Sequence, residues 1–227
     1  MENSKLKVKN YTNLKKFCQL QGADLFGVAD IQEIKKDFMI SLNILQEIDK
    51  AVCLGVRLSE GILGEIKDAP TRLYFHHYRT VNNLLDQIAL KVSNFIQKNG
   101  CLAMPIPASQ ILDWQNQKAH LSHKKIGYLA GLGWMGRNNL LVNKALGSQF
   151  RLVSILTDMP LKTDKPIKKG CLDCRRCVRA CPSGAIKEDP SEFEHIKCFE
   201  KLKEFQRERL VDQYICGVCV HVCEGRR

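Results

Sequence analysis

Residues 171–182 read CLDCRRCVRACP. Cys171, Cys174, Cys177 and Cys181, followed by Pro182, reproduce the C-x2-C-x2-C-x3-C-P spacing of a bacterial ferredoxin cluster loop. A zinc site instead takes two CxxC pairs divided by a longer insert, one pair for each side of the tetrahedron. Three thiolates from one short loop suit three corners of an iron–sulfur cubane, and Pro182 keeps the chain from continuing as helix past the fourth cysteine. In two-cluster ferredoxins that fourth cysteine serves the other cluster, so a second ligand set is required. The stretch CGVCVHVCEG brings Cys216, Cys219 and Cys223, and Cys198 stands alone in EHIKCFEKL. The spacing predicts one [4Fe-4S] cluster on Cys171, Cys174, Cys177 and Cys223 and another on Cys181, Cys198, Cys216 and Cys219. Cys198 fills the corner that the second run leaves open, and Glu224 rather than proline follows the last cysteine. Two such clusters form an electron path, so the first 160 residues are expected to hold whatever receives the electrons.

The remaining cysteines, Cys18, Cys53 and Cys101, are scattered through apolar stretches and read as buried small hydrophobes. Clustered cysteines point to metal ligands in a reducing compartment rather than to disulfides. The opening MENSKLKVKNYTNLKK is polar and lysine-rich, unlike a signal peptide, and no run approaches the ~20 apolar residues of a membrane helix. A cytoplasmic protein without membrane association is expected. Its 227 residues suffice for one sizeable core and a small appended module.

Elements that must position this chemistry are visible upstream. Residues 9–21 carry Leu14, Phe17, Cys18 and Leu20 at helical spacing, while DLFGVADI and AVCLGVRL read as buried strands. A long helix is predicted to begin with Pro70 as its first residue and to end at Asn99-Gly100, with an apolar stripe through Val81, Leu84, Leu85, Ile88, Val92, Phe95 and Ile96. CLAMPIPA, NLLV and FRLVSILTD supply further strands. Alternating helices and strands indicate an α+β or α/β domain over residues 1–160, with a ferredoxin-like domain over 161–227. MPLKTDKPIKKG, residues 159–170, reads as the linker. GLGWMG at 131–136 spells G-x-G-x-x-G, but a helix precedes it and a strand follows, the reverse of a dinucleotide site. Its glycines are expected to allow a tight turn and close backbone approach to a bound group or to the iron–sulfur module.

The run HKKIGYLAGLGWMGRNNLLVNKALGSQFRLVSILTDMPL, then the cysteines, resembles the epoxyqueuosine reductase family. That family has an A-G-L-G-W-x-G-K-N block, a T-D-x-P-L strand end and a double [4Fe-4S] domain in the same order. The match spans roughly residues 120–223; the first 110 agree only in general pattern. The resemblance implies a nitroreductase-like α/β domain that holds a cobalamin, reduced through the clusters. Gly131, Gly133, Trp134, Gly136, Arg137 and Asn138 are then the expected corrinoid-binding residues, with Trp134 packing on the macrocycle and Arg137 meeting an amide or phosphate. The family's proton-donating aspartate lies a little upstream of this block, where Asp113 is the available acid, although out of the expected register. Relatives acting on tRNA in queuosine biosynthesis carry further sequence after the clusters, often helical repeats, whereas this chain reads as a short form ending at CEGRR. The alternative is an electron-transfer or corrinoid-reactivating protein without substrate chemistry of its own.

The formal charge is +11, about +7 once two clusters with their thiolates are counted. Residues 162–179 hold seven Lys and Arg against Asp164 and Asp173. Such a face suits an acidic electron donor such as a ferredoxin or flavodoxin, a cobalamin-tail phosphate, or tRNA, and equally a merely solvated surface. Histidine pairs His76/His77 and His120/His123 include candidates for an axial cobalt position, though packing or surface roles are commoner.

Overall fold

A computed structural model describes residues 2–225. It divides into two compact units that interleave along the chain. The first comprises the segments up to Val56, Asn82–Leu132 and Arg151–Ile167; the second comprises Arg57–Val81, Gly133–Phe150 and the chain from Lys168 onward.

In the first unit, helix α1 (Glu2–Leu20) buries Leu14 and Cys18, the inward positions of its amphipathic spacing. Strand β1 (Leu25–Asp30) pairs antiparallel with β2 (Lys50–Arg57), setting Phe26 against Leu54 and Val28 against Val52. The short helix α2 (Leu42–Leu45) lies between them in sequence. In chain order there follow α3 (Glu60–Gly64), which belongs to the second unit, α4 (Arg72–Lys98), whose residues divide between the units, β3 (Ala103–Ile106), α5 (His123–Leu129), then β4 (Trp134–Met135) and β5 (Leu141–Val142) of the second unit, and β6 (Phe150–Thr157). The main sheet runs β1-β2-β6-β3, with β6 in its interior and β3 at an edge. Val153, Ile155 and Leu156 of β6 are fully buried, as a central strand requires. Pro105 sits in β3, where an edge strand tolerates its missing N–H.

Helix α4 starts later than the proline signal suggests. The Thr71 hydroxyl accepts the N–H of Tyr74, which makes Thr71 the cap and leaves Pro70 outside the helix. Gly100, at φ 77°, closes the other end as expected. Gly27 is required by packing: a Cβ there would stand 2.2 Å from the Ala130 carbonyl and 2.9 Å from Leu132. Helix α5 can therefore close down on β1 only because that strand lacks a side chain at this point.

Residues 159–167 are not a free linker. Met159 and Leu161 are buried, and Asn10 Nδ2 donates to the Pro160 carbonyl at 3.1 Å. Asp164 exchanges backbone hydrogen bonds with Val28, its N–H reaching the Val28 carbonyl at 2.8 Å and its carboxylate accepting the Val28 N–H at 2.9 Å. The Tyr11 hydroxyl donates to the same carboxylate at 3.0 Å, and burial together with this anion raises its pKa to about 12.

His123, half-buried, opens α5. Its Nδ1 lies 2.9 Å from Ser154 Oγ and its Nε2 3.0 Å from the Pro107 carbonyl. A carbonyl can only accept, so Nε2 carries the hydrogen and Nδ1 accepts from Ser154. Neither nitrogen is left for a cobalt. Burial lowers its pKa from 6.5 to about 4, opposed by the Pro107 bond and assisted by the Arg151 charge. The unfolded imidazole binds a proton near 6.5 and the folded one only near 4, so stability is complete above pH 6.5 and lost as pH falls towards 4. Between pH 7.5 and 5 that loss amounts to about 2 kcal/mol. Urea midpoints of wild type and His123→Gln across this range check it: the wild type should slope downward, and the variant, less stable throughout, should lose that slope.

Candidate iron–sulfur centres

In the second unit, two short helices and one longer one carry cysteines: α6 (Arg176–Ala180), α7 (His195–Arg207) and α8 (Val218–His221). Cys177 lies within α6, Cys198 in the first turn of α7 and Cys219 in α8, while the other five occupy loops. Helices α6 and α8 pack together. Burial raises the Cys177 thiol to about 12, with added repulsion from Cys223, Cys171 and Cys174. Burial likewise raises Cys216 to about 12, where the repelling neighbours are Cys198 and Cys181. Cys219 is pushed well above the ordinary thiol range by burial and by Cys216, Cys198, Cys177 and Cys181. Cys177 thus lies near Cys171, Cys174 and Cys223, Cys216 near Cys198 and Cys181, and Cys219 near Cys216, Cys198, Cys177 and Cys181. Among the described residues no three Cys, His, Asp or Glu side chains converge as a single ion requires. Cubanes present a separate iron to each thiolate, so this wider arrangement suits them better than a zinc ion, whose sulfurs all lie ~2.3 Å from one centre.

Cys181 differs from its neighbours. Burial raises its pKa, but the Ser183 hydroxyl, 3.3 Å away, and the N–H groups of Ile186, Ser183 and Ala185 together outweigh burial and lower it. Donors aimed at a sulfur also stabilise the reduced form of a bound cluster.

The glycines of the GLGWMGRN block are closely packed by the protein's own backbone. A Cβ on Gly131, at φ 69°, would stand 2.7 Å from the Lys165 carbonyl, and one on Gly133 would stand 2.1 Å from the Val142 carbonyl. Gly136 faces Val142 and Asn138 equally closely. The space these glycines leave is filled by the protein's own chain. Trp134 is buried in β4, which pairs with β5 opposite Val142, and its Nε1 has no hydrogen-bond partner. That N–H is the feature of the block that fits a polar group from outside the chain.

Arg137 and Asn138 are committed to the cysteines. The Arg137 guanidinium donates to the carbonyls of Glu188 at 2.6 Å, Cys174 at 3.0 Å and Leu172 at 2.8 Å. It therefore holds the loop carrying Cys171 and Cys174, including Leu172 in its left-handed conformation at φ 42°. The Glu188 carboxylate in turn grips Arg175 through two bonds of 2.7 and 3.0 Å. Buried Asn138 donates from Nδ2 to Ser148 Oγ at 3.1 Å. Ser148 hydrogen-bonds the Cys223 thiol, and its N–H reaches the Cys223 carbonyl at 3.1 Å. Burial raises Cys223, opposed by these bonds. The adjacent residues Arg137 and Asn138 thus support members of one thiol set, Cys171, Cys174 and Cys223. Sequence spacing does not disclose this, because 35 or more residues separate Arg137 from the carbonyls it binds.

Asp113 lies on an exposed turn closed by its bridge to Lys118. Its carboxylate accepts from Asn116 Nδ2 at 2.7 Å and from the Asn116 N–H at 2.9 Å, which hold its pKa below the ordinary value. A carboxyl so held is ionised at neutral pH and is a poor general acid. His77 Nε2 accepts the Ser59 N–H at 2.9 Å, and His120 Nδ1 lies 3.2 Å from the Met39 carbonyl. Cys18 and Cys53, both raised to about 12 by burial, behave as core residues.

Residues 170–225 match the family described as the 4Fe-4S double cluster binding domain, so this segment is a two-[4Fe-4S] module. The chain is also similar to epoxyqueuosine reductases. It is 34% identical to that of Leadbetterella byssophila over 103 residues, which are 41% of this chain and 33% of the relative. Identity to the Escherichia coli enzyme is 32% over 121 residues, 48% of this chain and 31% of that one. The matched region is about a third of the length of these curated relatives. Among solved structures, the catabolic reductive dehalogenase NpRdhA superposes with a TM-score of 0.76 at 19% identity, covering 96% of this chain and 32% of the other. An epoxyqueuosine reductase in complex with an epoxyqueuosine-modified tRNA-Tyr stem loop gives 0.66 at 18%, covering 95% and 64%. Identities this low establish the fold alone. The chain therefore has the mixed α/β fold of these reductases, and among its described residues no helix is long and apolar enough to cross a membrane.

Replacing Arg137 by Ala frees three carbonyls of the first cysteine loop at once. In anaerobically reconstituted protein, iron should fall from about eight towards four atoms per chain. Arg137→Lys, a point charge able to satisfy fewer of the three acceptors, should fall between. Iron and sulfide analysis with EPR of the reduced protein checks both.

Proposed function

We propose that this chain is an iron–sulfur oxidoreductase of the epoxyqueuosine reductase type, passing electrons through two [4Fe-4S] clusters to a corrinoid. The proximity of these eight thiols to one another inside a double-cluster module carries this reading. Cys171, Cys174, Cys177 and Cys223 are assigned to one cluster and Cys181, Cys198, Cys216 and Cys219 to the other. In sequence order residues 1–160 are assigned to the corrinoid-binding part and 161–227 to this module, although the compact units interleave across that boundary.

A bound corrinoid supplies a cobalt able to take up single electrons, which is the chemistry two low-potential clusters can feed. A solved relative of the same fold is described as a B12-dependent dehalogenase, which supports the assignment. Within the chain, thiolates hold the clusters, Arg137 and Asn138 brace one of them, and the Ser183 hydroxyl with three backbone N–H groups stabilises Cys181 in its charged form. The free Trp134 Nε1 is the donor proposed to meet an amide or phosphate of the corrinoid. The tRNA bound by a solved relative makes a queuosine-modified RNA the proposed substrate class, consistent with the basic charge of this chain.

The state of Asp113 favours a second reading. With that carboxyl exposed and held ionised, the chain has no proton donor at the expected place, as suits an electron-transfer or corrinoid-reactivating protein. Anaerobic titration with cobalamin separates these ideas. Retention of a corrinoid together with reduction of its cobalt supports both readings, and turnover of an epoxyqueuosine stem loop then selects the first. Full cluster loading with no affinity for any cobalamin form would overturn the corrinoid assignment. Cys198→Ala should remove one cluster and leave the other; two intact clusters in that variant would refute the ligand assignment.

A further inference from the structure

An electron path needs an entrance. Of the eight cysteines in 171–223, Cys174 is exposed, whereas the others are buried or half-buried. It lines an open cavity of about 450 Å³ together with Asp173, Arg175, Arg176, Arg179, Glu224 and Gly225. Three of these seven residues are arginines, and between residues 168 and 179 five cations face Asp173 alone.

Arg176 and Arg179 are not locked. Arg175 pairs with Glu188 and Arg176 with Glu224, in each case between exposed or half-exposed side chains. The single-contact Arg176–Glu224 pair is worth at most about 1 kcal/mol, so a carboxylate of an incoming protein can exchange for it, whereas Arg175 is held by two bonds. Arg179, exposed on α6, makes no ion pair among the described residues. Arg176 lines the cavity beside Cys174.

We infer that this arginine-lined mouth over Cys174 is the docking surface for an acidic, low-potential electron-carrier protein, and that electrons enter through the cluster held by Cys171, Cys174, Cys177 and Cys223. The inference rests on the electron-path reading above. In each transfer the reduced carrier loses one electron and the oxidised cluster gains it; no bond forms or breaks and no proton is required. Nucleic acid fits the mouth less well. No aromatic side chain lines it for base stacking. An exposed cluster ligand, by contrast, shortens the path from a docked protein carrier.

The test follows reduction of the two-cluster protein by a photoreduced acidic flavodoxin, with dithionite as a small-molecule reductant for comparison. For wild type, the flavodoxin-driven rate should fall about tenfold between roughly 20 and 300 mM salt, as steering by opposite charges is screened. Arg179→Glu should slow that rate about tenfold at low salt and flatten its salt dependence, with iron content and reduction by dithionite unchanged. Arg179→Gln should show a smaller effect of the same sign. Wild-type rates and salt slopes in both variants would overturn the inference. So would loss of stem-loop RNA binding in Arg179→Glu with flavodoxin reduction intact, which would make this a nucleic-acid face. Clusters that neither reductant can reduce would instead overturn the electron-path reading on which it stands.

Discussion

The guanidinium of Arg137 is the constraint on which the first cysteine loop depends. Residues 168–175 contain no regular helix or strand, and α6 and α8 are too short to be stable by themselves. A loop in that state has a large conformational entropy to lose before its thiols can stand at cubane corners. Three charge-assisted bonds from one planar group, to Leu172, Cys174 and Glu188, supply the ordering that no apolar core provides there. Asn138, the next residue, does the same for Cys223 through Ser148. One dipeptide thus braces both ends of a ligand set whose members lie more than fifty residues apart.

The first unit is organised by backbone proximity rather than by charge. Strand β1 gives up a side chain at Gly27, letting the end of α5 approach, and Gly131 accepts the Lys165 carbonyl at the same price of a missing Cβ. The strap at 159–167 is then tied by Asp164 to Val28 and Tyr11. His123 completes this packing as a half-buried residue with both ring nitrogens hydrogen-bonded. The polar groups that could be mistaken for cofactor ligands are therefore consumed in holding the unit together.

Much was legible from residue order. The buried strands at 25–30, 50–57 and 150–157 follow from continuous apolar runs, and the long helix from its 3.6-residue stripe. The start of that helix was misplaced because Pro70 is a strong local signal, whereas the Thr71 cap is decided by a hydrogen bond that spacing does not reveal. The segment at 159–170 looked like a linker because its composition is that of exposed chain; its ties to Asn10, Tyr11 and Val28 come from residues more than a hundred positions away. For Arg137, a charged residue in a glycine-rich block suggests a ligand contact, and only the folded chain brings the carbonyls of 172, 174 and 188 into its reach.

The sequence by itself determined the metal chemistry, because cubane coordination demands thiols at short, fixed separations and those separations are written in the residue order. Tertiary structure alone decided which side chains brace the thiols, which cysteine meets solvent and which histidines are already spent. Those outcomes depend on long-range hydrogen bonds and on burial, and neither is a property of neighbouring residues.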